Sequence, residues 1–133
     1  MKLINFLTLI LLLSQLSFAQ STPDKLIDAM RKGDAEELSL FFHQNLEMTI
    51  LEKVYMSSKT QATRIMEDFF RNNTPIDFTI SFEGTKEKSR YAIGILKTKD
   101  NSFRVNLFFL IRDDEKLIYY LSIEKESEYE LQS

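Results

Sequence analysis

The chain has 133 residues, of which 28% are charged, with a net charge of −3 and no cysteine. Without cysteine there is no disulfide framework and no lipid-modified N-terminal Cys. Mild acidity argues against nucleic acid as a partner, since that calls for a basic stripe.

Lys2, an apolar run over 3–13 and the small-x-small triplet Ser17-Phe18-Ala19 read as a secretory signal peptide over 1–19. The apolar run is about half the roughly 20 residues a membrane-spanning helix needs, so no membrane span is expected after cleavage. Cleavage before Gln20 leaves 114 residues, enough for one domain with one core. Because Lys2 leaves with the leader, 16 basic residues then face 20 acidic ones, a net charge of −4. The expected product is exported, periplasmic or extracellular, and not a lipoprotein. Its folded part is expected over 20–125, with a frayed acidic tail over 126–133 carrying Glu126, Glu128 and Glu130.

The first helix is expected to start with Thr22 as N-cap, Pro23 at the first helical position and Asp24 at the positive end of the dipole. Leu26, Ile27 and Met30 form its apolar face, and Gly33 suits a left-handed C-terminal stop. Asp34 and Glu37 restart a helix in capping-box fashion, with Leu38, Phe41 and Phe42 as its buried stripe. The period then changes to two: Leu46, Met48 and Ile50 alternate with polar residues as a half-buried strand, followed by a short piece at Val54-Tyr55-Met56. Ser58 and Gln61 cap the best-specified helix, whose apolar face is Ala62, Ile65, Met66, Phe69 and Phe70. Residues 72–75 end it. Asn72-Asn73-Thr74 matches a glycosylation pattern, but Pro75 follows directly and the triplet reads as a helix stop.

Four strands are expected in the remainder, over 76–83, 91–98, 103–112 and 117–125, joined by short polar turns that favour hairpins. In the first of them Phe78, Ile80 and Phe82 share one face while Asp77 and Glu83 face water. Lys86, Lys88 and Arg90, interrupted by Glu87, read as a solvated turn rather than a binding patch.

The stretch Ala29-Met30-Arg31-Lys32-Gly33-Asp34-Ala35-Glu36-Glu37-Leu38 resembles the opening helices of the nuclear transport factor 2-like superfamily. Within it, Tyr55 through Ala62, Asp68-Phe69-Phe70, Tyr91-Ala92-Ile93-Gly94 and Phe103-Arg104-Val105 make the chain similar to a family of small exported bacterial proteins of unknown function. The resemblance implies an α+β fold of cystatin-like shape, with about three N-terminal helices packed on a strongly bent antiparallel sheet. The resulting cone has a mouth that can hold a small molecule. Superfamily enzymes such as ketosteroid isomerase and scytalone dehydratase place acids, bases or donors there, whereas other members only bind or assemble, so the fold does not decide the function.

Chemistry-bearing residues are few. The lone His43 is expected at the end of the second helix, where a positive ring suits the dipole. Tyr55, Tyr91, Tyr119 and Tyr120 are phenols able to donate into a cavity or to serve as amphipathic core and rim residues. Arg104 admits an inward position binding an anion or an outward one. The ligand-pocket candidates are therefore Tyr55, Tyr91, Tyr119 and Arg104, for a small apolar or anionic ligand. Neither a cofactor nor a metal is expected. Asp113-Asp114-Glu115 lacks the spacing and Gly of a calcium loop, and the Glu124 to Glu130 series reads as a charged edge.

The strand over 103–112 shows Phe103, Val105, Leu107, Phe109 and Ile111 on one face and Arg104, Asn106, Phe108, Leu110 and Arg112 on the other. The second face is apolar in its middle. Ile118 and Tyr120 on the next strand, with either Ile93 and Ile95 or Ala92 and Leu96 on the previous one, are expected to extend it. If all helices cover one sheet face, such a patch marks an interface. A homodimer through the outer sheet face, centred on Phe108, Leu110 and Tyr120, is expected; a sheet curled enough to bury both faces is the alternative. The functional expectation is a non-catalytic small-molecule-binding or protein-interaction module. The alternatives are an isomerase, dehydratase or hydrolase using the cone, and an envelope assembly factor that recognises another protein.

Overall fold

Gly33 separates two helices by taking the left-handed conformation, φ 68° and ψ 35°, where an L side chain would be strained. Its N–H and that of Asp34 reach back to the carbonyls of Met30 (3.3 Å) and Ala29 (2.8 Å), closing the first helix. This computed structural model describes residues 21–126; the expected leader over 1–19 and the tail from 127 lie outside the described residues. Helix α1 spans Asp24–Lys32 and α2 spans Ala35–Ser39, followed by β1 Phe42–Ile50, β2 Lys53–Ser58, α3 Lys59–Asn72, β3 Pro75–Lys86, β4 Ser89–Thr98, β5 Ser102–Arg112 and β6 Glu115–Lys125.

Caps set most helix ends. Asp34 accepts the Glu37 N–H at 3.1 Å to start α2. The capping box of α3 is complete: Ser58 Oγ accepts the Gln61 N–H at 3.2 Å and Gln61 Oε1 accepts the Ser58 N–H at 3.0 Å. Two expectations need correction. Thr22 does not cap α1; the helix opens on Pro23, whose carbonyl accepts the N–H groups of Leu26 and Ile27, and Thr22 turns to Glu83 instead. Helix α2 is also shorter than its apolar spacing suggests. The Phe41 carbonyl accepts the Ile118 N–H at 2.7 Å, which commits the following residues to sheet pairing, so Phe42 and His43 are strand residues.

The six strands form one sheet in the order β2-β1-β6-β5-β4-β3. Neighbours pair antiparallel except β1 and β6, which run parallel, so the sheet is mixed. Strands β1 and β2 are joined by Leu51 and Glu52, both at positive φ (49° and 76°), as the right-handed twist of a two-residue hairpin demands. All three helices lie on one sheet face: α1 packs on β3, α3 on β1 and β2, and α2 on both other helices. Arg31 in the last turn of α1 ties it to the β3 edge, donating to the Phe78 carbonyl at 3.2 Å and pairing with Asp77 at 3.5 Å.

The helix side is filled with apolar side chains. Phe42, Met48, Phe78, Leu96, Phe103, Leu107, Ile118 and Leu121 are almost entirely buried, with Leu26, Met30 and Met66 from the helices. Phe69 meets Phe70 and Phe103 edge to face, at centroid distances of 5.9 and 5.4 Å.

Gly94 is needed for close approach rather than for its torsion angles. A Cβ built there would lie 2.5 Å from the Phe78 ring, which packs across the glycine from the neighbouring strand. Gly94→Ala is expected to destabilise the fold by about 1–3 kcal/mol through overpacking, read from the midpoint of urea unfolding. An unchanged midpoint would show that Phe78 moves aside at no cost.

Candidate functional site

Two β-bulges decide which side chains reach the uncovered sheet face. In β3 the pairing slips between Ile80 and Phe82, so Ile80 opposes Gly94 while Phe82 opposes Ile93. The extra residue, Ser81, bonds the Ile93 carbonyl at 3.0 Å. Phe82 thereby leaves the face of Phe78 and Ile80 and becomes 54% exposed. Glu83, opposite the buried Ala92, falls on the helix side of the sheet but stays exposed at its edge, facing water as expected. In β6 the slip falls between Phe108 and Phe109, whose partners are Tyr120 and Ile118, with Tyr119 as the extra residue. Ile118 enters the core and Tyr120 goes outward, so these two do not share a face as the alternation suggests.

The outer face that results carries a ladder of rings across four strands. Phe82 stacks on Tyr91 with centroids 5.8 Å apart and planes at 27°, and Tyr91 stacks on Phe108 at 5.8 Å and 28°. Tyr120 and Tyr119 meet Phe108 edge-on, at 5.4 Å and 6.3 Å. In the register, Met56, Glu47, Tyr120, Phe108, Tyr91 and Gly84 lie side by side across all six strands. The adjacent row is Val54, Thr49, Ser122, Asn106, Ile93 and Phe82, where Asn106 donates to Ser122 Oγ at 2.8 Å. Val54 and Met56 are 63% and 78% exposed, so the apolar surface continues to the β2 edge. A recess of about 370 Å³ lies among Glu47, Phe108, Tyr119 and Tyr120.

Of the pocket candidates, Tyr55 is half-buried and packs against the helix-side core from β2. Tyr91 and Tyr119 belong to the outer ladder, where the Tyr119 hydroxyl lies 3.1 Å from Ser89 Oγ. Arg104 is half-buried on the outer face, its Nε 3.4 Å from Asn106 Oδ1. The four candidates therefore do not converge on one point. The interface candidates Phe108, Leu110 and Tyr120 all lie on the outer face, Leu110 opposite Leu117 and Ser89. His43 sits on β1 with its Nδ1 3.1 Å from the Asn45 carbonyl. It lines an open cleft of about 800 Å³ together with Leu40, Phe41, Lys59, Arg112 and Lys116. No group of three His, Cys, Asp or Glu that could hold a metal occurs among the described residues.

Glu83 anchors the start of the domain. Its Oε1 accepts both the Thr22 N–H (2.8 Å) and the Thr22 hydroxyl (2.6 Å), while Lys116 Nζ donates to the Ser21 carbonyl at 2.8 Å. Burial opposes the charge of Glu83, but the two Thr22 hydrogen bonds and the charges of Arg90 and Lys116 outweigh it and hold the carboxyl below its ordinary value of 4.5. Lys116 is lowered from 10.5, first by burial and then by Arg90, with Glu83 acting in the opposite sense. Sequence reasoning passed over this clamp because it depends on the Ser81 bulge.

The family model for DUF4783, a domain of unknown function, matches residues 23–124. The chain belongs to that family. Crystal structures of DUF4783 proteins are similar to it. The one from Bacteroides ovatus is 29% identical, has a TM-score of 0.76 and covers 81% of this chain and 98% of its own. The one from Bacteroides fragilis is 26% identical with a TM-score of 0.75, covering 80% of this chain and 100% of its own. An NTF-2 like protein of unknown function from Silicibacter pomeroyi, 16% identical with a TM-score of 0.59, covers 77% of this chain and 88% of its own and shares the fold. The α+β, nuclear transport factor 2-like class expected from the sequence thus holds, with a parallel β1–β6 pair in its sheet. No curated protein matches the chain.

Because the Glu83 carboxyl is held low in the folded state, its contribution to stability is present above 4.5 and is lost as pH falls through the lowered value. Glu83→Gln is therefore expected to lower stability at neutral pH and to flatten the loss below 4.5, measured by urea unfolding across acidic pH. An acid limb identical to that of the wild type would show that Thr22 does not hold the charged form.

Proposed function

We propose that this DUF4783 domain is a non-catalytic interaction module, and that its outer sheet face is covered by the same face of a second copy. The single observation that carries this is the aromatic ladder from Phe82 through Tyr91 and Phe108 to Tyr120, laid across four strands on the face opposite the helices. Aromatic residues are enriched at interface cores because they bury much area at low entropic cost.

Two features favour a second copy over an unrelated partner. One is size: six strands about 4.8 Å apart and roughly nine residues long offer roughly 800 Å² of sheet, the usual share of one partner in a stable interface. The other is charge. Glu47 and Glu124 share the face with Arg104, so it carries both signs and can complement itself under a two-fold axis. The leader-like segment over 1–19 supports an exported protein, periplasmic or extracellular.

Phe108→Asp with Leu110→Asp is expected to turn a dimer into a monomer of unchanged fold, read by light scattering and circular dichroism. A wild type that scatters as a monomer at about 100 μM, where interfaces of this size are normally formed, would sink the proposal.

A further inference from the structure

Resting on that reading of the outer face, we infer that the recess among Glu47, Phe108, Tyr119 and Tyr120 is a receptor for a guanidinium, and that Arg104 of the second copy fills it. Phe108, stacked on Tyr91, lines the recess with Tyr119 and Tyr120, which stand edge-on to it at interplanar angles of 63° and 81°. Ring faces carry partial negative charge and attract a cation placed over them. Glu47, directly opposite Tyr120 in the register, adds a carboxylate at the same point. A neutral apolar ligand would desolvate that carboxylate without pairing it. A flat cation that stacks on a ring while donating to an acid satisfies both features, and among side chains that is arginine.

Arg104 is placed to be that cation. It shares the outer face and strand of Phe108, with Asn106 midway between them. At about 3.3 Å per residue, each lies about 7 Å from Asn106 along the strand. A two-fold axis running between the two sheets, across β5 over Asn106 and Ser122, exchanges positions 104 and 108. Each Arg104 is thereby brought over the other copy's Phe108. The same rotation brings Glu124, the cross-strand partner of Arg104, over the other copy's Tyr120 phenol, whose O–H is a donor. Within its own chain Arg104 takes part in none of the ion pairs among the described residues, and its hydrogen bond from Nε to Asn106 Oδ1, at 3.4 Å, is long and leaves the outer guanidinium nitrogens for a partner.

Sedimentation equilibrium of the mature chain tests this with a charge-reversal cycle. Each dimer contains the contact twice, so Arg104→Glu and Glu47→Arg are each expected to raise the dimer dissociation constant by about tenfold or more. The double variant E47R/R104E restores opposite charges and is expected to recover most of that loss. Circular dichroism on every variant confirms an intact fold, and recovery in the double variant requires one. A wild-type dimer that R104E leaves as tight as before, or a double variant weaker than both single ones, overturns the Arg104 contact while leaving the shared face standing. A monomeric wild type overturns the face reading and this contact with it.

Discussion

Three helices cover one face of a six-stranded sheet, and nothing else among the described residues is left to cover the other. The rest of the structure depends on that one-sided arrangement. On the covered side, Phe42, Phe78, Phe103 and the surrounding Leu, Ile and Met residues are almost entirely buried. On the uncovered side, aromatic residues stand in register at about the spacing of the strands and stack on one another. Stacking reduces their contact with water but does not remove it, and Phe82, Val54 and Met56 stay more than half exposed. An apolar surface left open in this way supports the proposed contact between copies.

Bulges, rather than composition, distribute the side chains between the two faces. A strand alternates with period two, so one inserted residue transfers every later side chain to the opposite side. The insertion at Ser81 sends Phe82 outward and Glu83 to the helix side, which adds a rung to the ladder and an anchor for Thr22 in the same step. The insertion at Tyr119 lets Ile118 enter the core while both neighbouring tyrosines flank Phe108 on the outside. The recess and the Glu83 clamp thus share a physical origin, although they lie on opposite faces of the sheet.

Much of this architecture was legible in the amino-acid order wherever its cause is local. The left-handed stop at Gly33 and the Ser58–Gln61 capping box rest on interactions within a few residues, and both helices they delimit are found at those positions. The alternation along β5 holds because its inner residues, Phe103 to Phe109, all remain on the helix side. What was not legible is set at long range. The end of α2 depends on Ile118 capturing the Phe41 carbonyl, from a residue far along the chain, so His43 looked helical by its neighbours and is not. The parallel pairing of β1 with β6 has no turn to announce it. Strand phase beyond a bulge is likewise invisible to a period-two reading, which explains why Phe82 and Ile118 came out on the wrong side while Phe108 and Tyr120 did not.

The most direct measurement of the central claim is oxidative footprinting of the aromatic residues at increasing protein concentration. If the outer face is a contact between copies, Phe82, Tyr91, Phe108 and Tyr120 lose reactivity together as concentration rises, whereas Tyr55, held against the helix-side core, keeps the same reactivity throughout. Reactivity of the ladder that does not change with concentration, at a level typical of rings open to solvent, would contradict the account.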